Sequence, residues 1–84
     1  MRLDKFLKVS RLIKRRTVAQ DACKGERVTV NGREVKPAYR VKVGDIIEIT
    51  FHNRATRVRV KALDEHVGAG QADTLYEIVD EAGF

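Results

Sequence analysis

The spacing of the apolar residues changes once along this chain of 84 residues, close to Gly25. Before that point, Leu3, Phe6 and Leu7 recur at the three- and four-residue spacing of an amphipathic helix. Beyond it, apolar and polar residues alternate, as they do along a strand that has one buried face. The change of period predicts an α+β domain in which two N-terminal helices pack on a small, mostly antiparallel sheet.

Two helices are predicted in the N-terminal part of the chain. The first covers residues 3–10, where Asp4 lies four residues before Lys8, at the spacing of a surface ion pair. The second begins just after Thr17, because Thr17 and Gln20 have the spacing of a capping box, in which each side chain binds the other residue's backbone amide. The short link between the helices is rich in arginine.

The second helix is predicted to bury a narrow side made of small residues, which comprises Val18, Ala19, Ala22 and Cys23. Cys23 is the only cysteine, so an internal disulfide is excluded and a role as a small buried hydrophobe is expected. Gly25 is predicted to end the helix in the left-handed conformation, which a residue without a Cβ adopts at no steric cost.

A β-hairpin follows the helices. Asn31 and Gly32 form the strongest two-residue hairpin signal, because both central residues of a type I′ turn need a positive φ. The turn pairs residues 26–30 with residues 33–36. Pro37 ends the second strand, since proline offers no backbone donor to a neighbouring strand.

Two further strands are predicted at residues 46–51 and 56–62, the second with its valines facing the core. Residues 64–73 are polar and rich in glycine and alanine, which indicates a loop. Residues 74–81 fit a last strand or a short helix, and the strand is favoured.

Charge is divided unevenly between residues 1–61, the expected main domain, and residues 62–84, an acidic C-terminal segment. All 17 lysine and arginine residues lie in the first part, beside six of the 12 acidic residues, and the other six acidic residues lie in the second. Such concentrated positive charge is typical of a protein that binds a polyanion, and nucleic acid is the abundant polyanion of the cytoplasm, where we expect the protein. No apolar run reaches membrane-spanning length.

The link between the helices concentrates the cations. Arg15 and Arg16 stand directly before the expected start of the second helix, where free backbone amides attract phosphate, and arginine binds phosphate oxygens in pairs. A solubilising surface is the alternative, but the cations continue along the first helix and onto the hairpin. The candidate RNA-binding cations are Arg2, Lys5, Lys8, Arg11, Lys14, Arg15, Arg16, Arg33 and Lys36. Because aromatic residues are almost absent among them, folded RNA is favoured over splayed single strands.

Neither an enzyme nor a metal site is indicated. The sequence has no catalytic nucleophile and general base at a recognisable spacing, and it has no phosphate-binding glycine motif. One cysteine with two histidines does not make a zinc cluster. His52 and His66 are expected at the surface. The polar residues of the second helix, Gln20, Asp21 and Lys24, are a poor set for reading DNA bases.

Residues 2–51 as a whole resemble an S4 RNA-binding domain. The matching pieces occur in order: R-L-D-K opens the first helix, S-R and R-R-T precede the second, V-T-V-N-G forms the hairpin, and V-K-V-G-D precedes the next strand. The resemblance implies that the helices and the hairpin together form the RNA-binding face. It places Arg2, Lys5, Arg11, Arg15, Arg16 and also Asn31 on or near that face.

Within this family, the chain is similar to the short bacterial proteins of ribosome-associated quality control, related to fifteen-kilodalton heat shock proteins. We expect a monomer without cofactor. The resemblance implies that it binds obstructed large ribosomal subunits through 23S rRNA and peptidyl-tRNA. It also implies a partner factor that extends the stalled nascent chain with C-terminal alanine. Two alternatives stay open: a heat-shock-type factor for stalled large subunits, and a general rRNA-binding assembly protein.

Overall fold

The computed structural model describes residues 1–51, 54–65 and 69–83, with two helices packed on one face of a five-stranded sheet. The sheet has the order β2-β1-β3-β4-β5, and all its neighbouring strands are antiparallel. The predicted α+β architecture is therefore confirmed. The elements are α1 (Leu3–Val9), α2 (Arg16–Lys24), β1 (Val28–Val30), β2 (Arg33–Glu34), β3 (Ile46–Phe51), β4 (Arg54–Val60), a 3-10 helix (Ala69–Leu75) and β5 (Tyr76–Gly83).

The core lies between the helices and the sheet. Helix α1 contributes Leu3, Phe6 and Leu7, all without exposed surface, and the buried alternate positions of β1, β3 and β4 carry valine and isoleucine. Burying each such side chain stabilises the fold by roughly 1.5–3 kcal/mol. Ala19 and Ala22 face the same core, and their small size lets α2 lie close to its neighbours.

The beginning of α2 differs from the prediction. The helix starts at Arg16, Arg15 is its N-cap, and no side chain caps it. The capping box was wrong because the Gln20 amide donates to Asp4 on α1, at 2.9 Å, instead of turning back on its own helix. Val18 was wrongly assigned to the buried side, since 40% of it is exposed.

The end of α2 also differs in its conformation. Gly25 has a φ of −85°, and Glu26 adopts the left-handed conformation with a φ of +62°. Glycine is suited to this position because of space: a Cβ on Gly25 would lie 3.2 Å from the Asp21 carbonyl oxygen and 3.3 Å from the Arg27 guanidinium. The left-handed turn therefore comes one residue later than predicted.

The hairpin turn is confirmed, because Asn31 and Gly32 have φ values of +53° and +79°. Its strands are shorter than predicted and pair Val30 with Arg33. The Asn31 side chain joins the turn to β3, since its Oδ1 accepts from the Ile46 amide at 3.0 Å and its Nδ2 donates to Asp45 at 3.1 Å. The hairpin is thus held in a set orientation on the sheet.

The C-terminal segment completes the sheet. Strand β5 pairs with β4 along its length, with a bulge at Arg57 and Val58, so the strand was the right choice over a short helix. Part of the predicted 64–73 loop is the 3-10 helix, whose last residue, Leu75, is buried in the core. Ile78 is 56% exposed. No helix within the described ranges is long and apolar enough to cross a membrane.

Candidate nucleic-acid interface

Seven cations lie along α1, in the link between the helices and at the start of α2, and we call them the helical cations. Arg2 is the N-cap of α1, Lys5 and Lys8 lie on α1, and Arg16 is the first residue of α2. The other three lie in the link between the helices and are exposed. The helical cations are Arg2, Lys5, Lys8, Arg11, Lys14, Arg15 and Arg16.

A buried carboxylate joins two of these cations. Asp4 has no exposed surface, and its two oxygens accept from Arg2 Nε and Nη2, both at 3.2 Å. Arg16 Nη2 donates to the same carboxylate at 3.4 Å, and Arg16 Nε lies 3.3 Å from Asp4 Oδ2. The side chains of both arginines remain more than 40% exposed. Asp4 therefore fixes two arginines from different helices beside each other, with part of each open to solvent.

The environment of Asp4 favours its charged form. Burial alone raises the pKa of this carboxyl, but hydrogen bonds from Gln20, from Arg16 and from the Lys5 backbone amide outweigh burial and lower the pKa below the ordinary value of 3.8. The carboxylate is thus ionised at neutral pH, as an arginine-positioning group must be. The predicted surface pair of Asp4 with Lys8 was wrong, because Asp4 points into the contact between the helices.

One cleft beside the helical cations extends their surface to the hairpin. This Lys36 cleft has a volume of about 460 Å³, and its lining comprises Arg2, Gln20, Lys24, Lys36, Pro37 and Ala38. Arg2 and Lys36 were both predicted as RNA-binding residues, and the fold brings them to the same cleft. Lys24 was missed, although it lies one helical turn beyond Gln20 and so on the same side of α2.

A second cleft lies at the other end of α1. This Lys14 cleft has a volume of about 500 Å³ and is lined by Lys8, Val9, Arg11, Lys14 and Glu65. Glu65 also forms an ion pair with Lys5, at 3.2 Å. Glu65 was missed because nothing in its local sequence shows that the chain returns to α1 after β4.

The two remaining predicted residues lie apart from these clefts. Arg33 is exposed on the edge strand β2 and lines neither cleft. Asn31 is exposed in the hairpin turn, and its amide group makes the two hydrogen bonds that join the turn to Asp45 and Ile46. The Tyr39 hydroxyl donates to Asp45 at 2.9 Å, and this hydrogen bond, together with burial and the aspartate charge, raises the pKa of Tyr39.

Chemically reactive groups are scarce in the described part of the chain. Burial, together with the charge of Asp4, raises the pKa of the Cys23 thiol to about 11, so the thiol stays protonated and unreactive at neutral pH. Among the described residues, no three histidine, cysteine or acidic side chains are grouped to hold a metal ion. The expectation for His52 and His66 falls outside the described residues.

The opposite, open face of the sheet has a different electrostatic character. Arg57 donates to Glu48 at 2.9 Å, and Arg59 donates to Glu77. Each of these pairs joins residues that face each other across adjacent strands. The two arginines of the open face are therefore each matched with an exposed carboxylate. On the helical surface, by contrast, four of the seven helical cations form no ion pair with a described residue: Lys8, Arg11, Lys14 and Arg15.

The family is shown by direct comparison. The model of the S4 domain family matches residues 1–47 of this chain. The chain belongs to the S4 domain family, so the predicted RNA-binding class is confirmed.

Individual relatives narrow the resemblance to a group within that family. The chain is 49% identical over 81 residues to the RQC P-site tRNA stabilizing factor of Halalkalibacterium halodurans, covering 96% of this chain and 92% of that protein. It is 42% identical to the Bacillus subtilis protein of the same name, with 96% and 94% covered. These names specify the stabilisation of a tRNA and no catalysed reaction, in line with the prediction of a protein that is not an enzyme.

The heat shock protein 15 group is also similar. The homologue from Aeromonas salmonicida is 36% identical over 78 residues, which cover 92% of this chain and 59% of that protein. The solved structure of Vibrio cholerae heat shock protein 15, described as trimeric, superposes with a TM-score of 0.87 at 29% identity, covering 94% of this chain and 81% of that one. This chain thus shares its arrangement of helices and sheet with that heat shock protein 15.

Proposed function

We propose that this protein is a cytoplasmic quality control factor that stabilises the P-site tRNA on obstructed large ribosomal subunits. In this role it contacts 23S rRNA and peptidyl-tRNA and supports C-terminal alanine tailing of the stalled nascent chain by a partner factor. The proposal is supported by relatives named for P-site tRNA stabilisation, which match 96% of the chain.

The observation that carries the proposal is the arginine pair on Asp4. A buried carboxylate holds the Arg2 and Arg16 guanidinium groups from two helices while leaving part of each exposed. Planar guanidinium groups bind phosphate oxygens in pairs, and fixing them beforehand lowers the entropy lost on binding. Two such groups side by side suit consecutive phosphates of a folded RNA.

The other predicted contacts extend this surface in two directions. In one direction the surface continues through the Lys36 cleft, with Lys36 and Lys24. In the other direction it continues through the Lys14 cleft, with Lys8, Arg11 and Lys14. The aromatic side chains whose burial is described are buried or half-buried, and the Tyr39 hydroxyl donates a hydrogen bond to Asp45. The surface is therefore suited to phosphate and shape recognition of folded RNA rather than to base stacking.

Sedimentation with ribosomal particles tests the proposal. The purified chain is mixed with large subunits that carry peptidyl-tRNA and, in parallel, with empty large subunits, and each mixture is separated on a sucrose gradient. We expect the chain to concentrate on the subunits that carry peptidyl-tRNA. Equal binding to both particles would instead indicate a general rRNA-binding protein, and absence from both would overturn the proposal.

A heat-shock-type factor for stalled subunits is the second candidate, favoured by the TM-score of 0.87 with heat shock protein 15. Alanine tailing distinguishes the two. In a reconstituted reaction with the tailing factor, alanylated tRNA and obstructed large subunits, adding this chain should increase the alanine added to the nascent chain. Binding without any effect on tailing would favour the second candidate.

A further inference from the structure

We infer that the Lys14 cleft is a second phosphate-binding site for RNA, and that the Glu65 carboxylate occupies its edge in the free protein as an internal competitor. The inference rests on the proposed function, because the phosphate belongs to the RNA that the helical surface binds. It adds a defined subsite and a role for the acidic segment that follows β4.

The charges around the cleft favour an anion. Lys8, Arg11 and Lys14 are exposed and line the cleft together. Within the described residues, none of these three cations has a carboxylate partner within 4.0 Å. Among the described residues, Glu65 is the only carboxylate that lines the cleft, and it forms an ion pair with Lys5. Three cations thus line the Lys14 cleft, and the one described carboxylate in it, Glu65, is paired with a fourth cation.

The cleft is held in shape by the backbone that ends α1. Arg11 is in the left-handed conformation, with a φ of +62°, which is unfavourable for a residue with a side chain. The Arg11 amide donates to the Lys8 carbonyl at 3.0 Å, and the Ile13 amide donates to the Leu7 carbonyl at 3.0 Å. Ile13 is buried in the core, so the strained turn is locked and Arg11 is presented to the cleft.

Glu65 reaches the cleft because the chain between β4 and Glu65 is anchored to the rest of the fold. The amides of Lys61 and Ala62 donate to the Leu75 carbonyl, at 2.8 and 3.3 Å, and Leu63 packs against the core. These contacts bring the next residues across α1, where Glu65 meets Lys5. The acidic residue is thus delivered to the basic surface by the fold.

The contact is of a kind that RNA displaces. The paired side chains of Lys5 and Glu65 are 38% and 44% exposed, and an ion pair this open is weak and is screened by salt. A phosphate group offers more acceptor oxygens than one carboxylate, and its binding also releases counterions from the RNA. Bound RNA therefore replaces Glu65 and leaves Lys5 available as well.

Removing the Glu65 charge tests this inference against a matched control. Glu65→Gln and Glu77→Gln each remove one negative charge and one exposed ion pair, but Glu77 lies on the open face of the sheet. Fluorescence anisotropy with labelled tRNA at low salt should show that Glu65→Gln raises the affinity about threefold. The control Glu77→Gln should raise it by less than about 1.5-fold. At several hundred millimolar salt the gain should disappear.

A second variant assigns the gain to the cleft. When Glu65→Gln is combined with Lys14→Ala, the double variant should bind tRNA no more tightly than Lys14→Ala alone, because the cleft can no longer hold the phosphate. Equal affinities of the two glutamine variants, or a weaker Glu65→Gln variant, would overturn the inference while leaving the proposed function intact. Failure of the unmodified chain to bind tRNA and large subunits would instead overturn the proposed function.

Discussion

The helical surface and the open face of the sheet both carry arginines, but they arrange their charges in opposite ways. On the open face, strand register places Arg57 opposite Glu48 and Arg59 opposite Glu77, so each arginine meets a carboxylate in solvent. On the helical surface, the carboxylate of Asp4 is buried beneath the arginines that it binds. The same two residue types therefore produce a neutralised face on the sheet and a positive face on the helices.

The comparison also separates two uses of an ion pair. Exposed pairs like those on the sheet stabilise a fold by about 0–1 kcal/mol each. A buried carboxylate that loses its partners destabilises a fold by several kcal/mol, because a charge is left without compensation. Because Asp4 is buried and also holds Arg2 and Arg16 in place, its removal should lower the stability of the fold and change the positions of both arginines.

The largest expected effect comes from Asp4→Asn. An asparagine keeps the shape but cannot neutralise Arg2 and Arg16, and its own amide donors face theirs. We expect the free energy of unfolding to fall by about 2 kcal/mol and tRNA affinity to fall with it. Urea denaturation measures the first, with Glu48→Gln on the open face as the control, for which a loss below about 1 kcal/mol is expected. Equal losses in both variants would remove the distinction between the two faces.

The pH dependence of stability gives a second test of Asp4. Because the pKa of folded Asp4 lies below 3.8, its charge stabilises the fold above that value, and this contribution is lost as the pH falls through the folded pKa. The stability difference between the wild-type chain and Asp4→Asn should therefore be constant from pH 7 to about pH 5 and shrink below about pH 4. A difference that grows on acidification would contradict the lowered pKa.

A paired charge removal compares the faces in binding. Arg11→Ala with Lys14→Ala removes two cations from the Lys14 cleft, and Arg57→Ala with Arg59→Ala removes two from the open face. At low salt we expect the first pair to lower tRNA affinity by roughly tenfold and to reduce the slope of log affinity against log salt by about 1–2, as expected for two lost phosphate contacts. The second pair should change the affinity by less than about twofold. A larger effect on the open face would reject the helical surface as the interface.

The smallest effect on stability is expected from Arg11→Gly. Glycine adopts the positive φ of this position without strain, and the exposed arginine side chain contributes little to the core. The free energy of unfolding should change by less than about 1 kcal/mol, while tRNA affinity falls by about threefold because one phosphate contact is lost. A stable variant with unchanged affinity would show that the strained turn serves something other than binding.

Much of the sheet was predictable from short stretches of sequence. Strand β3 has the bounds predicted from its apolar run, and the Asn31 and Gly32 turn follows from the positive φ that both residues tolerate. These features depend on neighbours within a few residues, so local rules describe them well. The capping box was wrong because it is also a local rule. It paired Gln20 with its own helix, whereas tertiary packing brings the Gln20 side chain to Asp4.

The sequence by itself determined the class of fold, the turn of the hairpin and the concentration of cations in the N-terminal half, since period, turn chemistry and charge are properties of adjacent residues. Only the tertiary structure decided which of those cations act together. Arg16 and Gln20 meet Asp4 across 12 and 16 residues, and Glu65 meets Lys5 across a segment that includes strands β1 to β4. Such contacts depend on how α1, α2 and the segment after β4 pack, because burial turns an aspartate from a surface charge into the group that positions two arginines.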